Sequence, residues 1–76
     1  MMDTLNQEQG WVKIPFELIT NNSNYDMEYL PQAGEPPLNE IGHPLKHKQT
    51  LRVVDLPYSD VWFKAPYGAV KYTKTV

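Results

Sequence analysis

A chain of 76 residues with no cysteine and a net charge of −2 makes one thin-cored domain: at this size only about 60% of the unfolded surface can be buried, and no disulfide or thiolate zinc site is available as reinforcement. The small net charge does not imply nucleic acid as a partner, because phosphate binding needs a basic stripe, and none is expected. No apolar run is long enough to cross a membrane as a helix and no charged segment leads into an apolar leader core, so neither membrane insertion nor secretion is expected.

Taken in order, residues 1–10 are polar apart from Leu5 and the initiating methionines, which predicts an N-terminal arm preceding a single β-domain over residues 11–76. Residues 11–19 alternate, with Val12, Ile14, Phe16 and Leu18 on one face and Trp11, Lys13, Pro15, Glu17 and Ile19 on the other. This pattern predicts one strand, and Pro15, which cannot donate to a ladder, places it at a sheet edge or a bulge. Asn21, Asn22, Ser23 and Asn24 follow as a loop of residues that bond their own backbone.

Residues 25–30 alternate again, setting Tyr25, Met27 and Tyr29 against Asp26, Glu28 and Leu30, and predict a second strand ending at Pro31. The run 31–37 holds three prolines and Gly34, which predicts a rigid, irregular connection. A short strand over residues 38–41 closes at Gly42, His43 and Pro44. Residues 49–54 predict another strand with Leu51 and Val53 on one side.

The strongest local pattern is residues 60–76. Val61, Phe63 and Ala65 alternate with Trp62 and Lys64; Pro66, Tyr67 and Gly68 supply turn chemistry; Val70, Tyr72 and Val76 alternate with Lys71, Thr73 and Thr75. That arrangement predicts a β-hairpin. The whole reads as an all-β protein: a small β-sandwich or partly open barrel of five to six short antiparallel strands with an N-terminal arm.

Charge is segregated along the chain. Residues 1–43 hold seven acids against Lys13 alone, and residues 44–76 hold six bases against Asp55 and Asp60. Either strands of the two halves pair acid beside base, or acidic and basic faces meet between neighbouring subunits in a lattice or ring.

Catalytic and metal chemistry find little support in these residues. His43 and His47 are separated by four, which on a strand places them about 13 Å apart, too far to share one ion. Ser59 can be grouped with either histidine and with Asp55 or Asp60, but a triad is defined by geometry and not by composition. No catalytic, metal or cofactor-binding residue is assigned, and the expectation is a non-enzyme without a cofactor. The aromatic residues remain. Trp62 points opposite to Phe63, so either it covers a second apolar layer or it anchors, with Tyr67, an interface between subunits. Trp62, Tyr67, Trp11 and Lys64 are the candidate interaction residues.

The order of Gln32-Ala33-Gly34, prolines, Gly42-x-x-Leu45, a polar stretch, the Val61-Trp62-Phe63-Lys64-Ala65 strand, Gly68 and a closing alternating strand resembles small virion proteins of tailed bacteriophages, and the Trp11-Val12-Lys13 strand fits the same pattern. The chain departs from it at Leu30-Pro31-Gln32, where such proteins commonly carry Leu-Gln-Asn. The resemblance implies a capsid decoration or cement subunit, made in the host cytoplasm and carried on the virion. It would stabilise the particle through contacts with the major capsid protein or other virion proteins, as a homo-oligomer such as a trimer. The alternatives are a receptor- or glycan-binding module of a tail or fibre, and a small inhibitor of a host enzyme.

Overall fold

Strand-forming segments here are short and each has one apolar face, so two sheets must cover one another. The computed structural model describes residues 2–76. Among the described residues eight strands form: β1 (Met2–Asn6), β2 (Val12–Lys13), β3 (Leu18–Asn21), β4 (Met27–Pro31), β5 (His43–Leu45), β6 (Thr50–Arg52), β7 (Val61–Lys64) and β8 (Ala69–Thr75). They make two antiparallel four-stranded sheets, one ordered β1-β8-β3-β6 and the other β2-β7-β4-β5. The protein is therefore all-β as expected, with eight strands in place of five or six. No helix of the described residues is long and apolar enough to cross a membrane.

The core lies between the sheets. Leu5, Ile19, Val70 and Tyr72 enter it from the first sheet, Met27, Leu45, Val61 and Phe63 from the second, with Ile14 and Phe16 closing one side. The alternation in β7 has the predicted sense: Val61 and Phe63 are buried while Trp62 and Lys64 face outward.

Three expectations are corrected by the strand pairing. Of the residues assigned to an arm, 1–10, the first lies outside the described residues, Met2–Asn6 form β1 and Gln7–Gln9 a 3-10 turn; β1 runs antiparallel to β8 over five aligned pairs from Met2 opposite Thr73 to Asn6 opposite Ala69. Its one buried side chain, Leu5, is 2% exposed. The ladder supplies what the polar composition hides, since backbone groups pair whatever side chains they carry.

The second correction concerns residues 60–76. β7 and β8 are not a hairpin: β7 lies between β2 and β4, β8 between β1 and β3, and the turn between them crosses from one sheet to the other. Gly68 adopts φ 56°, a left-handed conformation that suits glycine. The turn is tied to the end of β1, because Gln7 N–H donates to the Gly68 carbonyl at 2.8 Å and Gly68 N–H to Gln7 Oε1 at 3.1 Å. Central placement gives each strand two ladders where a terminal hairpin would give one.

Third, residues 11–19 divide into β2 and β3, which belong to different sheets. Pro15 sits exposed in the crossing between Ile14 and Phe16, both buried. The alternation slips by one residue there, so Ile19 is fully buried and Leu18 is 38% exposed, the reverse of the expected faces. Residues 38–41 form no strand; the strand begins at His43 and contains Pro44, which an edge position tolerates because β5 pairs only with β4.

One polar residue is fully enclosed. Asn21, 0% exposed, donates from Nδ2 to the carbonyls of Tyr25 and Leu45, each at 2.8 Å, and accepts the Ser23 N–H at 2.8 Å on Oδ1. It joins the end of β3 to β5 and to the following loop, with the amide satisfied throughout.

Tyr72 gives the fold a pH dependence. Burial, and then the Asp3 carboxylate opposite it on β1, push its phenol above the ordinary value of 10.0. The unfolded chain therefore loses this proton at lower pH than the folded one. Stability contributed by the site is complete below pH 10 and is lost as pH rises through the folded value. Tyr72→Phe is expected to flatten the fall in melting temperature above about pH 10, a difference visible in paired thermal melts of the two proteins. Identical alkaline slopes would refute it.

Candidate functional site

The outer face of the β2-β7-β4-β5 sheet carries the most elaborate side-chain arrangement in the molecule. Outward positions are set by register: Lys13 and Leu30 flank Trp62, and Glu28 flanks Lys64. Across this face runs the connection between β4 and β5, residues 32–42, as a strap.

The strap is held at several points along its length. The Trp62 indole N–H donates to the Gln32 carbonyl at 3.0 Å, and the Trp11 indole N–H donates to the Pro37 carbonyl at 3.0 Å. Lys64 Nζ donates to the carbonyls of Leu38, at 3.2 Å, and Glu40, at 2.8 Å. The same ammonium lies 3.5 Å from Glu28 Oε1 and 4.7 Å from the centroid of the Trp11 ring. Glu28 Oε1 in turn accepts the Gly42 N–H at 3.1 Å. Lys64 thus donates to two backbone carbonyls and pairs with one carboxylate while its charge rests on an indole face, which satisfies a largely shielded cation.

Two further features fix the strap's path. Pro36 is buried, and a turn is closed by the Glu40 N–H on the Pro37 carbonyl at 2.9 Å. Gly42 passes so near the sheet that a Cβ there would lie 2.8 Å from the Tyr29 carbonyl oxygen and 2.9 Å from Trp11 Cη2. The first contact is with backbone that cannot yield cheaply. Gly42→Ala should therefore lift the strap, at a cost of about 1–3 kcal/mol, and red-shift the tryptophan emission as Trp11 meets water. An unchanged emission maximum and melting temperature would show that the strap accommodates the methyl.

This bracing displays two aliphatic side chains to solvent. Leu38 is 72% and Ile41 80% exposed, with the exposed carboxylates of Glu35 and Glu40 beside them. Next to Leu38 a shallow groove of about 270 Å³ is lined by Gln7, Lys64, Ala65 and Pro66. The chemistry available here is apolar packing bordered by negative charge.

The candidate residues divide accordingly. Trp11, Trp62 and Lys64 are brought together, as supports beneath the strap: Trp11 is 5% exposed, and Trp62 also lies under Lys13, whose Nζ is 5.9 Å from its ring centroid. Tyr67 stands apart on the β7–β8 turn, 69% exposed. What any of the first three offers a partner is the strap it holds. Leu38 and Ile41 were not singled out from sequence; the signal available was two apolar residues set among prolines and acids, Glu35-Pro36-Pro37-Leu38-Asn39-Glu40-Ile41. His43 stacks obliquely near Tyr29, ring centroids 5.4 Å apart, and His47 Nδ1 lies 2.8 Å from the Ser23 carbonyl oxygen.

Compared with known proteins, the chain matches no family model, and neither a curated protein nor a solved structure matches it.

Proposed function

We propose that this chain is a non-enzymatic structural subunit of a tailed-phage virion, a capsid decoration or cement protein that acts by protein–protein contact. The observation that carries the reading is the braced strap with Leu38 and Ile41 turned to solvent. Aliphatic side chains carried on a braced backbone have already met the backbone part of the ordering cost of binding. Burying both against a partner would yield about 3–6 kcal/mol. A thin-cored domain also gains stability from whatever it binds in the folded state. The small-virion-protein pattern of the sequence supplies the setting, and the major capsid protein or another virion protein supplies the partner.

The test is binding to empty shells assembled from candidate major capsid proteins, followed by sedimentation and by the shells' melting temperature. The wild type should bind saturably and raise that temperature. Leu38→Asp/Ile41→Asp, altered only at exposed positions, should fold normally and lose about a hundredfold or more in affinity. Binding to intact host cells but not to shells would overturn the reading in favour of a receptor module. Absence from purified particles, with tight binding to a host enzyme, would overturn it in favour of an inhibitor.

A further inference from the structure

The outer face of the other sheet is built differently. On it the inward residues of β1, β8, β3 and β6 alternate with three cross-strand rows: Thr4, Lys71 and Asn22; Met2, Thr73, Thr20 and Thr50; Thr75, Leu18 and Arg52. All five threonines of the chain stand here. Their hydroxyls are partly paired with one another and with Asn22: Thr20 and Thr50 share a bond of 2.7 Å, and Asn22 Nδ2 donates to the Thr73 hydroxyl at 3.1 Å. The methyl groups are left to cover the sheet. The charged side chains of these rows are Lys71 and Arg52, both positive, and no carboxylate is among them.

At the β6 edge this face becomes a groove of about 410 Å³ lined by Glu17, Leu18, Thr50, Arg52 and Val54. Leu18 and Val54 are 38% and 72% exposed, which gives the groove apolar walls. Arg52 and Glu17 are the charged residues of its lining.

The two outer faces of the molecule are thus complementary. One presents Leu38 and Ile41 beside the acids Glu35 and Glu40; the opposite one presents an apolar groove with Arg52 and Glu17 in its lining, on a sheet face whose cross-strand rows carry Lys71 and Arg52 as their charged residues. We infer that the partner of the strap is a second copy of this chain: Leu38 and Ile41 of one subunit enter the groove between Leu18 and Val54 of the next, with Glu40 against Arg52. This inference deepens the proposed function and rests on its reading of the strap as a docking element. Because the two patches are different and lie on opposite layers, the contact is heterologous, and repetition yields a closed ring or an open stack. It also gives the segregated charge of the sequence an intermolecular use.

The experiment is sedimentation velocity of the full chain across a concentration series at low and high salt. The wild type should associate beyond a dimer, with association weakened about tenfold or more by high salt, since opposed surface charges are screened. Leu38→Asp/Ile41→Asp, which destroys the strap face, and Arg52→Glu, which destroys the groove face, should each be monomeric with unchanged thermal melts. Mixed in equal amounts they should form a dimer and nothing larger, because each retains one working face. Combining Glu40→Arg with Arg52→Glu should restore the assembly.

A wild type that stays monomeric at every concentration overturns the inference. So does a dimer that no mixture of the two variants can reproduce, which would mark a symmetric contact. A monomer that still binds shells through the strap leaves the structural-subunit reading standing and this one refuted; strap-dependent assembly without shell binding does the opposite.

Discussion

A chain that begins at Gln7 is expected to show no cooperative thermal transition at all. Removing residues 1–6 takes away β1, and with it the five aligned pairs that cover the outer edge of β8. Leu5, 2% exposed in the core, is worth about 2 kcal/mol by its burial alone, and each lost ladder bond adds roughly 1 kcal/mol. A core of this size supplies only about 3–5 kcal/mol in total, so the losses match everything the domain has. Val70, opposite Leu5 and itself 0% exposed, would face water. The tie between Gln7 and Gly68 would remain in the covalent chain but would lose the strand that positions it. Far-ultraviolet circular dichroism against temperature reads the result directly. A sigmoidal melt within a few degrees of the full chain would mean that β1 is an accessory, as its polar composition suggests. Leu5→Asp separates side chain from ladder: it keeps the backbone pairs and buries a carboxylate, and it should be nearly as damaging.

The difference between what could be read from residues and what could not lies in the range of the interactions. Alternation is local, and it located β7, β8, β4 and β6 and turned Phe63 inward and Trp62 outward in β7. Pairing is not local. A strand–turn–strand pattern such as residues 61–75 is satisfied equally by a hairpin and by an arch between sheets, and only the competing demands of β1, β2, β3 and β4 for neighbours select the arch. β1 shows the same limit more sharply, because its partner lies almost the full length of the chain away and its two apolar residues, Met2 and Leu5, are three apart and make no strand alternation. Pro15 announced an interruption, and the structure resolves it as a change of sheet with a one-residue slip at Leu18 and Ile19. The strap was legible as a rigid connection from its prolines. Its supports were not, since Trp11, Trp62 and Lys64 come from two other strand regions and meet only when the sheet forms.

Phe63 and Trp62 provide the sharpest separation of core from surface architecture, because they are adjacent and point to opposite layers. Phe63 is 0% exposed, lies between Val12 and Tyr29 in its own sheet, and meets Phe16 edge-on at a centroid separation of 5.4 Å and an interplanar angle of 76°. Phe16 sits where the chain passes from β2 to β3, so the pair joins the centre of one sheet to the crossing between both. Phe63→Ala is expected to cost about 3–5 kcal/mol, leaving the protein substantially unfolded at 25 °C unless an osmolyte or a partner holds it. Trp62→Ala removes one indole bond to the Gln32 carbonyl and the contact with Lys13, both on the outer face, and should cost about 1–2 kcal/mol with the sheet intact. Denaturant titration of the two variants checks the order. If Trp62→Ala proves the more damaging, the strap and its supports contribute more to folding than the layer between the sheets does, and the strap could no longer be treated as a docking element carried by an independently stable scaffold. If Phe63→Ala unfolds the chain while Trp62→Ala only frees residues 32–42, binding through Leu38 and Ile41 can be lost without loss of the fold, which is the condition every test of the strap depends on.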